Sequence, residues 1–410
     1  MSGRVRHIGV AERRARLAVR HRLAPRARAA TPEEVADALV ALHGTDPATV
    51  YLAVGARITD PSGTISETER ALYEDRSLVR MHGMRHTVFV FPTELTAVVH
   101  ASTGLAVAAR ERASLLKDMA AAGAPDAAWL KEVEESALAA LARRGQATAA
   151  ELAKDEPRLR EQFAYAAGKS YEGVHTVSSR LLRVLGVEGK VVRGRPLGSW
   201  TSSQFRWAPA PAHPELDAAG AQAELLRRWL AVCGPATEAD LKWWTGWRVT
   251  EVRRALTAIG AREVALDEGT GYVLAGDEEP GGQKPGGQKP GGGKPAGEGT
   301  AEPWAALLPG LDPTAMGWQQ RDWFLAPGLR PALFDRSGNV GPTVWWDGRV
   351  VGGWAQRPDG EIVWRLLEKD GVGREAEAAI AAEAERLRGW VGTTRVTPRF
   401  RTPLERELAG

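Results

Sequence analysis

The chain has almost no cysteine, since Cys233 is the only one in 410 residues. A single cysteine excludes a disulfide framework and a CxxC metal site, and it fits a reducing compartment. No run approaches the roughly 18 apolar residues of a membrane span, and the N-terminus lacks the apolar segment of a signal peptide. We therefore expect a cytoplasmic protein that needs no membrane, no metal ion and no cofactor.

The chain also has little excess of either charge, because its net charge is only +3. Its distribution is uneven: residues 1–30 contain nine arginines and one acid, Glu12. Such a basic arm can bind phosphates with salt-dependent affinity. A solvated, arginine-rich helix face is the alternative. The hydrophobic fraction of 43% and the charged fraction of 26% are typical of globular proteins.

An internal repeat gives the main indication of the fold. The pattern G-x-A-T-x-A-x-L occurs at residues 145–152 and 234–241. In each copy a threonine, Thr148 or Thr237, can cap the following helix, and an acid three residues later, Glu151 or Asp240, completes a capping box. Each copy is therefore predicted to begin a short helix.

The segments around the two copies follow one order. Amphipathic helices are predicted before the copies, over about 128–143 and 219–231, and after them, over about 173–185 and 248–259. Extended segments with glycine turns come next, at residues 189–198 and 263–274. Helix, helix, helix and hairpin is the order of a winged helix.

A fainter third copy lies upstream. Residues 31–34 predict a capping box with Pro32 at the first helical position. Its hairpin would be Arg80–Phe91, with Gly83 at the turn. The prediction is an α+β fold with three tandem winged-helix modules, at residues 1–125, 126–212 and 213–276.

The C-terminal part differs in composition. Residues 277–302 repeat Pro-Gly-Gly-Gln-Lys and predict a disordered linker. Beyond it, Val344–Trp354 predicts a hairpin with Asp347-Gly348 as its two-residue turn. With a helix over about 372–391, residues 303–410 predict a small β-rich domain.

Two of the hairpins differ in charge. Lys190, Arg193 and Arg195 lie on a glycine-rich turn, which suits contact with phosphates. The hairpin at 263–274 contains three acids that would repel DNA. The alternative is that both modules are scaffolds for protein contacts.

Three tryptophans at helical spacing predict core positions rather than base-stacking ones: Trp243, Trp244 and Trp247.

Several segments together resemble the winged-helix family that includes the AlkZ and AlkX (YcaQ-like) DNA glycosylases. They are Leu42–Arg57, Met84–Val90, Cys233–Trp247, Leu307–Asp322 and Asp347–Trp354. The family excises guanines alkylated at N7, including from interstrand crosslinks. The resemblance implies double-stranded DNA as the partner and a C-terminal domain that is β-barrel-like.

The catalytic motif of that family, Gln-x-Gln or Gln-x-Asp, corresponds here to His43-Gly44-Thr45. A cationic N7-alkylpurine leaves readily, so the enzyme mainly positions water and stabilises charge on the sugar. His43, Thr45 and Asp46 are the candidate catalytic residues: His43 or Asp46 would orient water, and Asp46 would oppose the sugar's positive charge. Because Asp46 precedes a proline, a helix N-cap is its alternative role.

A second departure lies in the first hairpin, where relatives tend to read Met-Arg-Gly-Thr-Leu-His-Leu and this chain reads Met-Arg-His-Thr-Val-Phe-Val. His82, Arg85 and His86 are predicted to face the same cleft as His43 and to contact DNA. No spacing indicates a metal site, so a polar, partly cationic nucleotide pocket is favoured.

The sequence leaves three functions open. The chain is a divergent glycosylase, a non-catalytic DNA-binding regulator or lesion sensor, or a scaffold for protein contacts. No heptad or dimerisation helix is visible, so we expect a monomer associated with the nucleoid.

Overall fold

Helices and short antiparallel sheets alternate in the computed structural model, which describes residues 5–165, 172–279, 302–368 and 371–410. The fold is α+β, as predicted. The described residues contain five antiparallel sheets of two to four strands. Most of the predicted linker, residues 280–301, lies outside the described residues.

The first part of the chain contains a helix-rich unit with a three-stranded sheet in the order β1-β3-β2. Its elements are α1 (Val10–Arg20), α2 (Pro32–Leu39), β1 (Leu42–His43), α3 (Pro47–Gly55), α4 (Thr64–Tyr73), β2 (Leu78–His82) and β3 (Val88–Pro92). A long helical segment follows, made of α5 (Thr93–Val99), a π-helical turn (His100–Gly104) and α6 (Leu105–Ala121).

The second unit has its own core, formed by residues between Leu115 and Trp207. Its elements are α7 (Ala127–Arg144), α8 (Ala149–Asp155), β4 (Gln162–Tyr165), β5 (Gly173–Thr176), α9 (Val177–Val187), β6 (Val191–Pro196) and β7 (Phe205–Pro209). The threonine of the first repeat copy caps α8 in a complete capping box, as predicted.

The third unit contains α10 (Ala218–Cys233), β8 (Ala236–Thr237), α11 (Glu238–Thr245), α12 (Val249–Ala258), β9 (Arg262–Leu266) and β10 (Gly269–Val273). The first and third units follow the order helix, short extended segment, helix, helix, hairpin. The second unit has the same order with an additional two-stranded hairpin, β4 and β5, between α8 and α9. In each, the extended segment pairs with the second hairpin strand: β1 with β3, Ala147 with Trp207, and β8 with β10.

The C-terminal part is built on one four-stranded sheet, in the order β11-β12-β13-β14. Its elements are β11 (Ala305–Leu308), α13 (Pro313–Met316), α14 (Arg330–Leu333), β12 (Thr343–Trp346), β13 (Arg349–Gln356), β14 (Ile362–Leu366), α15 (Arg374–Val391) and α16 (Pro403–Ala409). Asp347 and Gly348, with φ of 44° and 80°, form the predicted two-residue turn.

This sheet corrects the prediction of a β-barrel-like domain. In the described residues β11 and β14 remain at opposite edges, so the sheet is open. Helices cover both of its faces instead: Val351 and Trp354 pack on the side of α15, whereas Val350 and Ala355 pack on the side of α14 and α16. Closure is unnecessary because the helices bury the apolar faces.

The arginines of α1 are bound within the molecule, which corrects both expectations for this part of the basic arm. Arg13 pairs with Glu268, and Arg16 and Arg20 pair with Asp277 at 3.1 and 2.5 Å. The backbone just before α1 also bridges to Ala265 of β9. Glu268 of the third hairpin and Asp277 just after it therefore hold α1 against the third unit and neutralise three of its arginines.

A fully buried ion pair joins the first unit to the C-terminal part. The guanidinium of Arg57 donates to both carboxylate oxygens of Asp312, at 2.6 and 2.9 Å, and neither side chain is exposed. Its other donors reach the carbonyls of His21 and Ala53 and the hydroxyl of Thr314. Every donor group is thus satisfied, as a buried charge requires.

We expect Arg57→Met to lower the free energy of unfolding by about 3–5 kcal/mol, because it leaves the carboxylate of Asp312 buried without its cation. The double variant Arg57→Met with Asp312→Leu should lose less free energy of unfolding than Arg57→Met alone. Urea unfolding measures both. The exposed pair Arg365–Glu407 provides the control, since Arg365→Met should cost no more than about 1 kcal/mol. Equal losses for the buried and exposed pairs would contradict the prediction.

Candidate active site and nucleic-acid interface

The candidate catalytic residues lie on the turn between β1 and α3. His43 pairs with Phe89 in the sheet, and the Gly44 amide donates to the Val88 carbonyl at 2.8 Å. A Cβ on Gly44 would lie 3.2 Å from the Phe89 backbone, so this close approach favours glycine. The turn therefore has little freedom to move against the first hairpin.

His43 is an uncharged histidine in a cationic setting. Its residue is 7% exposed, and burial, followed by the charges of Arg85 and Arg80, lowers its pKa to about 3. The amide of Thr45 donates weakly to Nδ1 at 3.4 Å, which favours the neutral tautomer with its proton on Nε2. Near neutral pH this side chain can orient a polar group without adding charge.

Asp46 is the N-cap of α3, as its alternative role predicted. Oδ1 accepts from the Ala48 amide at 3.2 Å, and Oδ2 accepts from the Arg399 amide at 2.9 Å. Burial raises the pKa of this carboxyl group. Thr45 is half-buried. Asp46 therefore connects the turn to the C-terminal segment through hydrogen bonds, and this structural role does not depend on any role in catalysis.

A cavity of about 470 Å³ opens beside His43, between the first unit, the third unit and the C-terminal part. It is lined by His43, Arg85, Thr87, Trp243, Met316, Gln319, Arg321, Ser337, Gly338 and Asn339. Two predicted site residues, His43 and Arg85, thus meet in it. The prediction that Trp243 belongs to the core is only partly right, because this half-buried ring also forms part of the cavity wall.

Five arginines near the turn and the cavity form no ion pair with a carboxylate of the described residues. We call Arg80, Arg85, Arg193, Arg321 and Arg399 the unpaired arginines. Arg80 donates to the Gly44 carbonyl at the turn itself. Burial, followed by the charges of Arg80, Arg399 and Arg183, lowers the pKa of Arg193 to about 9, which leaves it cationic at neutral pH.

The sequence indicated only two of these arginines. Arg80, Arg321 and Arg399 were missed because they lie far apart along the chain and come near the turn or the cavity only in the fold. The MRH and WQQRD segments carried the available signal, since Arg85 and Arg321 both fall inside segments that support the family resemblance.

The other predicted DNA-binding residues do not line this cavity, so the prediction that His82 and His86 face the same cleft as His43 is wrong. The rings of His82 and His86 are 5.1 Å apart, and His86 contacts Glu111 at 3.1 Å. Lys190 pairs with Glu134 and Glu188. Arg195 pairs with Glu69 and Glu74 at 3.1 and 3.0 Å. Of the three cations predicted to contact DNA from the second hairpin, Arg193 alone lacks an acidic partner among the described residues.

Within the described ranges, no group of three or more His, Cys, Asp or Glu side chains is arranged to hold a metal ion. None of the described helices combines the length and the apolar character needed to cross a bilayer.

Three buried histidines make stability depend on pH. Burial lowers the pKa of His21, His43 and His82 to about 3, whereas an unfolded histidine titrates near about 6.5. Below pH ~6.5 the unfolded chain therefore binds protons that the folded chain does not. We expect the free energy of unfolding to fall with pH by up to about 1.4 kcal/mol per unit for each histidine.

Urea unfolding between pH 7.5 and 5 measures this slope. His21→Gln should reduce it by about one proton. A free energy of unfolding that stays constant over this range would contradict the prediction.

Comparison with known proteins agrees with this geometry. The family model described as DNA glycosylase AlkZ-like matches residues 36–390. The fold is similar to that of the Streptomyces sahachiroi DNA glycosylase AlkZ, with a TM-score of 0.67 and 21% identity over 94% of this chain and 98% of that chain. No curated protein sequence matches significantly. Because the family model spans most of its length, the chain belongs to the AlkZ-like DNA glycosylase family.

Proposed function

We propose that the protein is a monofunctional DNA glycosylase that removes alkylated purines, including bulky or crosslinked N7 adducts, from double-stranded DNA. The observation that carries the proposal is the position of His43. It lies where the family's catalytic motif is expected, at the wall of a cavity lined by cationic and polar groups. Family membership supplies the reaction class, and the unpaired arginines supply attraction for DNA.

We further propose that the three recurring units are winged-helix modules. Their shared element order and the pairing of each short extended segment with its hairpin support this assignment. The proposed boundaries are 1–125, 126–212 and 213–276, followed by a C-terminal domain at 303–410. The protein would act as a monomer on nucleoid DNA in the cytoplasm.

In the proposed reaction, water forms a bond to C1′ while the bond from C1′ to N9 breaks and its electron pair leaves with the base. A cationic N7-alkylpurine departs as a neutral molecule, so no acid is needed to protonate it. His43 would orient the water, with Thr45 beside it, and the water's proton would pass to solvent. The carboxylate of Asp46 would oppose the positive charge that develops on the sugar.

One observation favours a second candidate function, a DNA-binding regulator or lesion sensor without catalysis. The family's Gln-x-Gln or Gln-x-Asp motif is replaced by His43-Gly44-Thr45. In addition, both oxygens of Asp46 already accept backbone hydrogen bonds. The scaffold and the unpaired arginines would bind DNA equally well under this alternative.

Single-turnover release of N7-methylguanine from a duplex tests the proposal. We expect His43→Ala and Asp46→Asn each to slow release by about 10²-fold or more, with duplex affinity nearly unchanged. Asparagine is also a good N-cap, so Asp46→Asn can preserve α3. His43→Gln restores the family residue and should retain most of the rate. His7→Ala, at an exposed histidine, is the control.

No release by the wild type, with salt-sensitive duplex binding intact, would instead establish the regulator or sensor. If neither His43→Ala nor Asp46→Asn changes the rate of base release, neither residue takes part in the reaction.

The protonation state of His43 gives a separate prediction. Because its pKa is lowered to about 3, the ring is already neutral well below pH 6.5. The rate of base release should therefore change by less than about twofold between about pH 5.5 and 8. A loss of activity with a midpoint near about pH 6.5 would show that the reaction depends on an ordinary, exposed histidine instead.

A further inference from the structure

One wall of the cavity is formed by two arginines on a single tryptophan. The guanidinium carbon of Arg85 lies 4.0 Å from the Trp243 ring centroid, and that of Arg321 lies 4.9 Å from it. These residues come from the first hairpin turn, from α11 and from the segment after α13. Contact with the ring fixes the positions of both cations.

The packing of Arg85 depends on Gly246, which ends α11 in the left-handed conformation at φ 73°. A Cβ at Gly246 would lie 3.0 Å from the Arg85 side chain. Arg321 is held by a 2.6 Å hydrogen bond from Nε to the Trp318 carbonyl. The two guanidinium groups are therefore positioned before any ligand arrives.

Neither guanidinium has an acidic partner among the described residues, although most arginines of the N-terminal helix do. Arg321 is only 8% exposed, and its terminal nitrogens make no described hydrogen bond. Two acids that contact residues of the cavity wall are occupied by backbone amides: Asp240 by those of Gln319 and Gln320, and Asp335 by those of Ser337 and Asn339.

Arg321 is a buried cation without an acidic partner, which is costly unless a ligand supplies the counter-charge, whereas Arg85 is exposed at the cavity wall. No carboxylate lines the cavity. A cationic N7-alkylguanine would therefore be repelled there. A phosphodiester fits, because guanidinium groups bind its oxygens in a bidentate manner.

We propose that Arg85 and Arg321, held on Trp243, bind one backbone phosphate beside the damaged nucleotide. The phosphate occupies the cavity next to His43, which places the sugar at the turn and leaves the alkylated base outside the cavity. This proposal rests on the proposed DNA substrate, but it does not require that the chain cleave it.

Binding to a duplex with a tetrahydrofuran abasic analogue tests the site, because this duplex cannot undergo base release. A series of duplexes carries one uncharged methylphosphonate in turn at each of the phosphates flanking the analogue. For the wild type, we expect one position to weaken binding by about tenfold, with little effect elsewhere.

Arg321→Met should bind the unmodified duplex about tenfold more weakly and lose nothing further at that one position. Its salt slope should fall by about 0.9 per lost phosphate contact. Arg85→Met is a second variant, and because Arg85 makes no described hydrogen bond its replacement should preserve the fold. Arg365→Met, at an exposed ion pair, is the matched control and should keep the wild-type pattern.

If every methylphosphonate weakens the wild type and both cavity variants by the same factors, the phosphate site is wrong. The same result is expected if the cavity binds only free phosphate ions, because binding of the duplex would then not depend on one backbone phosphate. If the cavity variants lose the effect of one methylphosphonate but the wild type releases no base, the phosphate site stands and the glycosylase proposal fails. If base is released but the cavity variants do not change the effect of any methylphosphonate, the glycosylase proposal stands and the phosphate site fails. The cavity then receives some other part of the substrate.

Discussion

The buried pair of Arg57 and Asp312 fixes the position of the helix on which the site depends. Arg57 follows the end of α3, and Asp312 caps α13, whose last residue, Met316, lines the cavity. The start of α3 is tied to the same part of the chain through Asp46 and the Arg399 amide. Between them, the Thr49 hydroxyl donates to the Gly310 carbonyl at 2.9 Å. Both ends of α3 are therefore fixed to the C-terminal part, so His43 faces a cavity wall that cannot shift independently.

Charge in this protein separates into paired and unpaired arginines. Three arginines of α1 are neutralised by Glu268 of the third hairpin and by Asp277 just after it. Arg195 is neutralised by acids of α4 and the residue that follows it. Those contacts contribute to holding the units together. Of the unpaired arginines, Arg85 and Arg321 line the cavity, Arg399 is exposed near the turn, and Arg80 is buried against the turn. A sequence with a net charge of only +3 can thus present a locally cationic surface.

Local caps and strained residues also serve the site. Asp240 completes the capping box of α11 and, in addition, accepts hydrogen bonds from the amides of Gln319 and Gln320 at the cavity wall. Arg85 and His86 both have left-handed backbone, with φ of 52° and 59°. For non-glycine residues this costs on the order of 1 kcal/mol each. The Arg85 side chain lies on Trp243, and His86 lies beside Glu111.

The sequence by itself determined the local elements, because capping boxes, helical periodicity and two-residue turns act over a few residues. The thrice-repeated helix and hairpin order, the N-cap at Asp46 and the turn at Asp347-Gly348 all follow from such short-range rules. Tertiary structure alone decided that the basic arm binds the acidic hairpin, that the C-terminal sheet stays open beneath helices, and that Arg321 and Trp243 join Arg85 at one cavity. These outcomes depend on which faces are buried together and on charges far apart in the chain, and neither is encoded in any short segment.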